Sequence, residues 1–397
     1  MDSRQATDLG QAAMDIVLLR RSVRRYLPDP VPEEVLRTVL EAGRQAPSGE
    51  DAQPWRFIVV RDKATIAELG RISGRGSGRR FTGEYVTKEM DKRFAGLQDP
   101  EKRRAVFQKL TSGAVSAFVA EAPVVIVVCG RKEVWDLPYD CSAAIENMLF
   151  VIAGMGLGAC WVIAPCIDIR DELKLKEMLG VPPGYKVISI IPMGYTDRIP
   201  KPRPRIALEE LCFSGRFGNP LFPPGPVTVT PGTGEAVPTA LPSPPAGSFM
   251  EAVVHDLEAA FWDERGMGAR YRTTLVGTEY LRRRYPALAD ACDLQGALAA
   301  AARALGQEGV ADEVSWASDE DNVLRISVRG CCLLRAHLAL SQSGRHVYCC
   351  PCGNVIMTAI DQVAGSISEL ARIEAGESGC RLVLVPYGPG SQGVAGR

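Results

Sequence analysis

This chain lacks a charge imbalance: 46 Lys and Arg stand against 47 Asp and Glu, a formal net charge of −1. With no global field to hold nucleic acid or an anionic membrane, neither is expected as a partner, and any anion site must be a local cluster of basic residues. Long apolar runs are missing as well. No segment reaches eighteen uninterrupted apolar residues, and Met1 to Ala13 is polar where a secretory signal would carry its apolar core. The sequence therefore predicts no membrane span and a cytoplasmic protein. Histidine is scarce at three residues, and isolated histidines serve structure more often than chemistry.

What is present points to two folded units. The length, 397 residues, exceeds the usual size of a single hydrophobic core, and 46% hydrophobic with 23% charged residues is ordinary for globular protein. Between Gly218 and Gly247 nine prolines in thirty residues remove backbone donors and leave no amphipathic period, so this stretch reads as an extended linker. It divides the chain into a domain at about 14–217, the linker 218–247 and a second domain at about 248–390; residues 391–397 close a Gly-rich tail expected to be disordered.

Within the first unit, Pro32-Glu33-Glu34 opens a helix that should end near residues 43–46, since proline and acids suit a first turn. Trp55–Val60, Pro123–Val128 and Tyr185–Pro192 are short, β-branched and bounded by breakers, as buried strands are. Asp140–Met155 is apolar almost all round and reads as a core helix. The expected class is α+β, helices around a small mixed or antiparallel sheet. Arg75–Arg104 is dense in bases, but interleaved acids and few aromatics suit a solvated helical excursion, or a lid over a site, better than a nucleic-acid patch.

Three clusters resist explanation as packing. Arg20-Arg21-Ser22-Val23-Arg24-Arg25 crowds four like charges, which calls for an anion such as phosphate, against the alternative of a solvated basic turn. Ala46-Pro47-Ser48-Gly49-Glu50-Asp51-Ala52-Gln53-Pro54 is a loop of turn formers that exposes backbone donors before a strand. In Gly194–Arg205, alternating prolines hold the backbone extended, so Lys201, Arg203 and Arg205 project on one side. Gly154-Met155-Gly156-Leu157-Gly158 follows an apolar helix and precedes a strand, the reverse of a dinucleotide fingerprint, and reads as a helix stop.

The stretches RRSVRRY, APSGEDAQPW, SAAIENMLFVIAGMGLGACW and PMGYTDRIPKPRPR, in this order over residues 14–217, resemble the FMN-dependent nitroreductase family. The resemblance implies a homodimer with FMN at its interface and NAD(P)H as cosubstrate. Arg20, Arg21 and Ser22 would hold the phosphate and ribityl chain, with Lys201 and Arg203 completing the phosphate clamp, and Arg24 would lie at the pyrimidine edge of the flavin. Pro47, Ser48, Gly49 and Gln53 would reach the flavin of the neighbouring subunit. At the turn after Trp161 the family offers a backbone N–H to flavin N5; Pro165 has none, so Ile163 or Ala164 would supply it. No catalytic acid or base is implied, since the flavin carries the chemistry. The implied activity is ping-pong hydride transfer from NAD(P)H to an electron-poor acceptor such as a nitroaromatic or quinone. The alternatives are a specialised member of the same fold, flavin-fragmenting or reductively dehalogenating, and a flavin or metal sensor with little turnover.

In the second unit, an amphipathic helix from Ser248 and strands at Val323–Val328 and Arg381–Val385 predict a smaller α+β domain. Its cysteines, Cys331-Cys332, Cys349-Cys350-Pro351-Cys352 and Cys380, could bind zinc or an iron–sulfur cluster, with Cys349, Cys352 and Cys380 as candidate ligands, or could be small buried residues and free thiols. Residues 349–385 resemble the end of 4-vinyl reductase-like small-molecule-binding domains, which would make the unit a ligand or metal sensor.

Overall fold

A computed structural model describes residues 3–222 and 248–387, apart from 289, 320–322, 344–345 and 366. Most of the Pro-rich segment and the whole C-terminal tail lie outside the described residues.

The first sheet has the order β1–β2–β4–β3, with β1 Trp55–Val60, β2 Val124–Arg131, β3 Gly158–Ala159 and β4 Tyr185–Gly194, all paired antiparallel. The uninterrupted run Val124–Val128 lies at the centre because both faces of β2 are covered. Val125 and Val127 pack into one apolar cluster with Leu69 and Ile190; Val124, Ile126 and Val128 pack into another with Ile145 and Met148 of the Leu137–Gly154 helix. That helix and Glu33–Arg44 form where the sequence predicts them, the latter entered through Pro32 at φ −61°. A parallel bridge from Ser22 to Ala159 extends the edge beyond β3, so the sheet is mixed there.

The second unit opens on Ser248, whose side chain forms a reciprocal capping box with Glu251 at the start of the helix Phe249–Arg265. The second sheet, β5 Glu313–Ser318, β6 Leu324–Arg329, β7 Glu369–Gly376 and β8 Gly379–Val385, has the order β5–β6–β8–β7 and is antiparallel throughout. Here β6 alternates buried and exposed residues, since the helices Leu294–Gln307 and Pro351–Ala364 supply a core on one face only. Both α+β units expected from the sequence are present.

The reading of Arg75–Arg104 as a solvated excursion needs correction. Lys63–Val86 is one helix, capped by Asp62, and Ile72, Arg79 and Phe81 are among its buried residues. Its glycines permit other segments to pack close against it: a Cβ at Gly78 would collide with Tyr387 Oη. Bases within this stretch are therefore not all surface charges. Arg79, 2% exposed, meets Asp168 (3.1 Å), Asp171 (2.8 Å) and, across in β7, Glu369 (3.4 Å). Two further pairs join the two regions, Arg170 with Asp361 (3.0 Å) and Arg272 with Glu172 (2.5 Å), and within the second unit Arg270 pairs with the same Glu369 (2.5 Å). Burial alone would push these carboxylates up; the guanidiniums of Arg170 and Arg79 outweigh it at Asp168 and hold it down at about 2. The second unit is docked on the first through buried charge.

Candidate functional site

Two of the sequence clusters meet at the β3 edge. Val23 N donates to Ala159 O (2.9 Å) beside the Ser22–Ala159 bridge, laying Arg20–Tyr26 against the strand. The approach depends on glycine: a Cβ at Gly158 would fall 2.6–2.8 Å from three side-chain atoms of Val23. The third cluster is tied to the same segment. Leu27 N donates to Tyr195 O (2.8 Å), Tyr26 Oη donates to Pro192 O (3.0 Å), and Arg25 pairs with Asp197 (3.5 Å). Lys201, Arg203 and Arg205 beyond are all exposed, and among the described residues none has an acidic partner.

Beside this edge lies a cavity of about 270 Å³ lined by Arg24 and the turn Cys160–Ala164 on one side and by the Lys63–Val86 helix on the other. At the turn Cys160 N donates to Pro192 O (3.2 Å) and Val162 N to Ile190 O (3.0 Å), and Pro165 has no N–H, so among the turn residues Trp161, Ile163 and Ala164 are left with backbone N–H groups to offer the cavity. Arg24 lies over the Phe118 ring, 5.7 Å from its centroid. The sequence reading missed the opposite wall: Ser77, Arg80, Phe118 and, from the second unit, Tyr271. Nothing local marks them, because a Gly-rich basic helix shows no amphipathic face.

Several donors here lack protein acceptors. Arg21 Nε and Trp161 Nε1 are buried without a hydrogen-bond partner, and Arg20 Nε lies 3.2 Å from Glu146 Oε1 without hydrogen-bond alignment. Buried donors without acceptors are costly and call for a bound group to satisfy them. A phosphate beside Arg20 and Arg21, with a planar ring in the cavity, matches that donor set.

The loop holding Pro47, Ser48, Gly49 and Gln53 is turned elsewhere. Gly49 N donates to Asp140 Oδ1 (3.1 Å) at the start of the Leu137–Gly154 helix, and Arg131 Nη2 donates to Ala52 O (2.8 Å). Among the described residues no hydrogen bond or ion pair links it to Arg20–Arg24 or to the 160–164 turn. Its backbone is strained: Glu50 (φ 52°), Asp51 (φ 54°) and Gln53 (φ 43°) are all left-handed without being glycine. Such strain costs of order 1 kcal/mol per residue and gathers at functional sites.

In the second unit all of the cysteines are free, and among the described residues no group of three or more His, Cys, Asp or Glu is arranged to hold a metal ion. The expected set of Cys349, Cys352 and Cys380 does not assemble. The Cys331 thiol lies within hydrogen-bonding reach of Cys352 and Cys380, whereas Cys349 turns toward Thr273. At the start of Pro351–Ala364 the Cys350 side chain caps the helix, accepting from Gly353 N.

Residues 17–195 match the sequence profile of the nitroreductase family. This segment is a nitroreductase-family domain. Similar proteins include an NADH dehydrogenase of Thermus thermophilus, 28% identical over 208 residues (50% of this chain, 94% of that one). An iodotyrosine deiodinase of Thermotoga neapolitana is 27% identical over 192 residues, 48% of this chain and 90% of that one. Among solved structures, a nitroreductase with bound FMN from Bacteroides fragilis is 26% identical, covering 49% of this chain and 95% of that chain at a TM-score of 0.37. The nitroreductase match ends at residue 195, so Tyr271 and the unit that carries it lie beyond it. No helix among the described residues is long and apolar enough to cross a membrane.

Proposed function

We propose that this protein is an FMN-dependent oxidoreductase that passes hydride from NAD(P)H to an electron-poor acceptor, working as a homodimer. The observation that carries the reading is the Ser22–Ala159 bridge, which lays the arginine cluster along β3 so that Arg24 lines one cavity with the 160–164 turn. Arg20, Arg21, Lys201 and Arg203 would hold the phosphate, Ser22 the ribityl chain, Arg24 the pyrimidine edge, and Ile163 or Ala164 would donate a backbone N–H to N5. Bound FMN would supply the hydride chemistry. The protein's part is to orient and to stabilise charge: a guanidinium fixed at the ring edge favours the electron-rich state in a site partly closed to water.

The dimer is supported by apolar surface with nothing over it. Leu9 and Leu18 on the N-terminal helix, Trp135 (95% exposed), Tyr139 and Phe217 (94% exposed) are all open. A twofold partner would cover them and bring Pro47, Ser48, Gly49 and Gln53 to the neighbouring flavin.

The test is spectroscopic. Purified protein should be yellow, and NADH or NADPH should bleach it anaerobically, with colour restored by a nitroaromatic or quinone and parallel double-reciprocal plots. Arg20→Ala with Lys201→Ala should release flavin on gel filtration, since each charge-assisted contact is worth about 10- to 100-fold in affinity. Retention of flavin by the double variant would sink the phosphate assignment. A second reading, reductive dehalogenation of a halophenol, is favoured by the deiodinase likeness. A dithionite-reduced enzyme that releases halide from a halophenol, yet is not bleached by either nicotinamide, would select it.

A further inference from the structure

Tyr271 is the one described residue from beyond position 248 that lines the cavity at the 160–164 turn. Its phenol oxygen accepts a hydrogen bond from Arg270 Nη2 (3.1 Å), and Arg270 is itself fixed by Glu369 Oε1 (2.5 Å) and Ala371 O (3.2 Å) of β7. The guanidinium lies 5.0 Å from the phenol ring centroid, which sets the ring's tilt as well as the oxygen's position. Among the described residues no protein acceptor takes the Tyr271 O–H. A hydroxyl that already accepts from a guanidinium and whose proton is free is left to donate. Burial raises the phenol to about 12, so the proton is present throughout the neutral range.

We propose that Tyr271 is a flavin-contacting residue supplied by the second unit, a neutral phenol that donates a hydrogen bond to an acceptor atom of the ring held in this cavity. The inference rests on the reading that the ring of FMN occupies that cavity. Its consequence is that the second unit completes the site of its own chain. Glu369, which fixes Arg270 beside Tyr271, also meets Arg79, and Arg79 and Asp168 line the cavity themselves, so ring binding and docking of the second unit are linked.

The experiment uses the full chain as a flavin-free apoprotein, titrated with FMN and with riboflavin, which lacks the phosphate, alongside Tyr271→Phe and Lys201→Ala. Loss of one neutral hydrogen bond predicts that Tyr271→Phe weakens both ligands by a similar factor, about 3- to 10-fold, and shifts the bound-flavin absorption band. Lys201→Ala should weaken FMN and leave riboflavin unchanged. The phenylalanine keeps the ring's packing, so an unchanged melting temperature of the apoprotein separates the lost hydrogen bond from a folding defect. If the unaltered protein binds FMN while Tyr271→Phe matches it in both affinities and in spectrum, the inference is overturned. A change confined to the acceptor KM overturns it equally, because the phenol would then face the acceptor. If the unaltered protein binds neither flavin, the functional reading fails instead.

Discussion

Replacing Arg79 by methionine tests whether the two units are held by buried charge. Asp168, Asp171, Asp361 and Glu369 face Arg79, Arg170 and Arg270, four carboxylates against three guanidiniums, and each of the Arg79 contacts is made at 2–3% exposure. Methionine fills much of the volume but leaves four carboxylates to two cations. Breaking such a pair by removing one partner costs about 3–5 kcal/mol, which for a chain of this length is a fall of about 4–6 °C in melting temperature if both units melt together. The pH dependence has a definite sign. In the unaltered protein Asp168 is held down at about 2, so its contribution is present above the ordinary carboxyl value and is lost as pH falls toward 2. Asp171 runs the other way, raised by burial and by Asp168, so stability is gained as pH falls through its folded value. Without Arg79 both carboxylates rise, and the variant recovers by taking up protons. Its deficit should be greatest near pH 8 and narrow toward pH 5 in calorimetry. Glu369→Gln combined with Arg79→Met should be non-additive by about 0.5–3 kcal/mol, as expected for residues in contact. A variant that melts with the unaltered protein, or a deficit flat with pH, would refute the cross-unit network.

Two further outcomes are expected. Gly158→Ala drives a Cβ into Val23 and should cost about 1–3 kcal/mol, lifting Arg20–Arg24 from β3; FMN affinity measured by fluorescence quenching should fall. His337, fully buried, is opposed in its charge by burial but is raised to about 9 by Glu258, 3.8 Å away, with the neighbouring thiols adding. A raised histidine contributes below its unfolded value near 6.5 and loses that contribution as pH climbs through 9. His337→Gln should therefore be less stable at pH 6 by about 3 kcal/mol and close to the unaltered protein above pH 10. Denaturant titration at the two pH values decides it.

The sequence alone determined the elements whose physics is local. Pro123–Val128 was legible as a buried strand, Asp140–Met155 as a core helix and the stretch from Ser248 as an amphipathic helix, because period and branching act over a few residues. The clusters Arg20–Arg25 and Lys201–Arg205 were legible for the same reason: like charges crowded in one short segment need an explanation wherever they fold. Tertiary structure decided the rest. Arg79 and Arg80 are neighbours in a basic run and both line the cavity, yet Arg79 is buried among three carboxylates, because those carboxylates come from segments far along the chain, the start of the Ile169–Leu179 helix and β7. The same holds for Cys349, grouped by its cluster with Cys352 and Cys380 as a candidate ligand, which turns toward Thr273 while Cys352 and Cys380 lie within reach of Cys331. Tyr271 shows the limit most directly. No spacing in the sequence relates it to the turn after Trp161, and it reaches that cavity only because Arg270 grips β7 and β7 packs on the helix of Arg79.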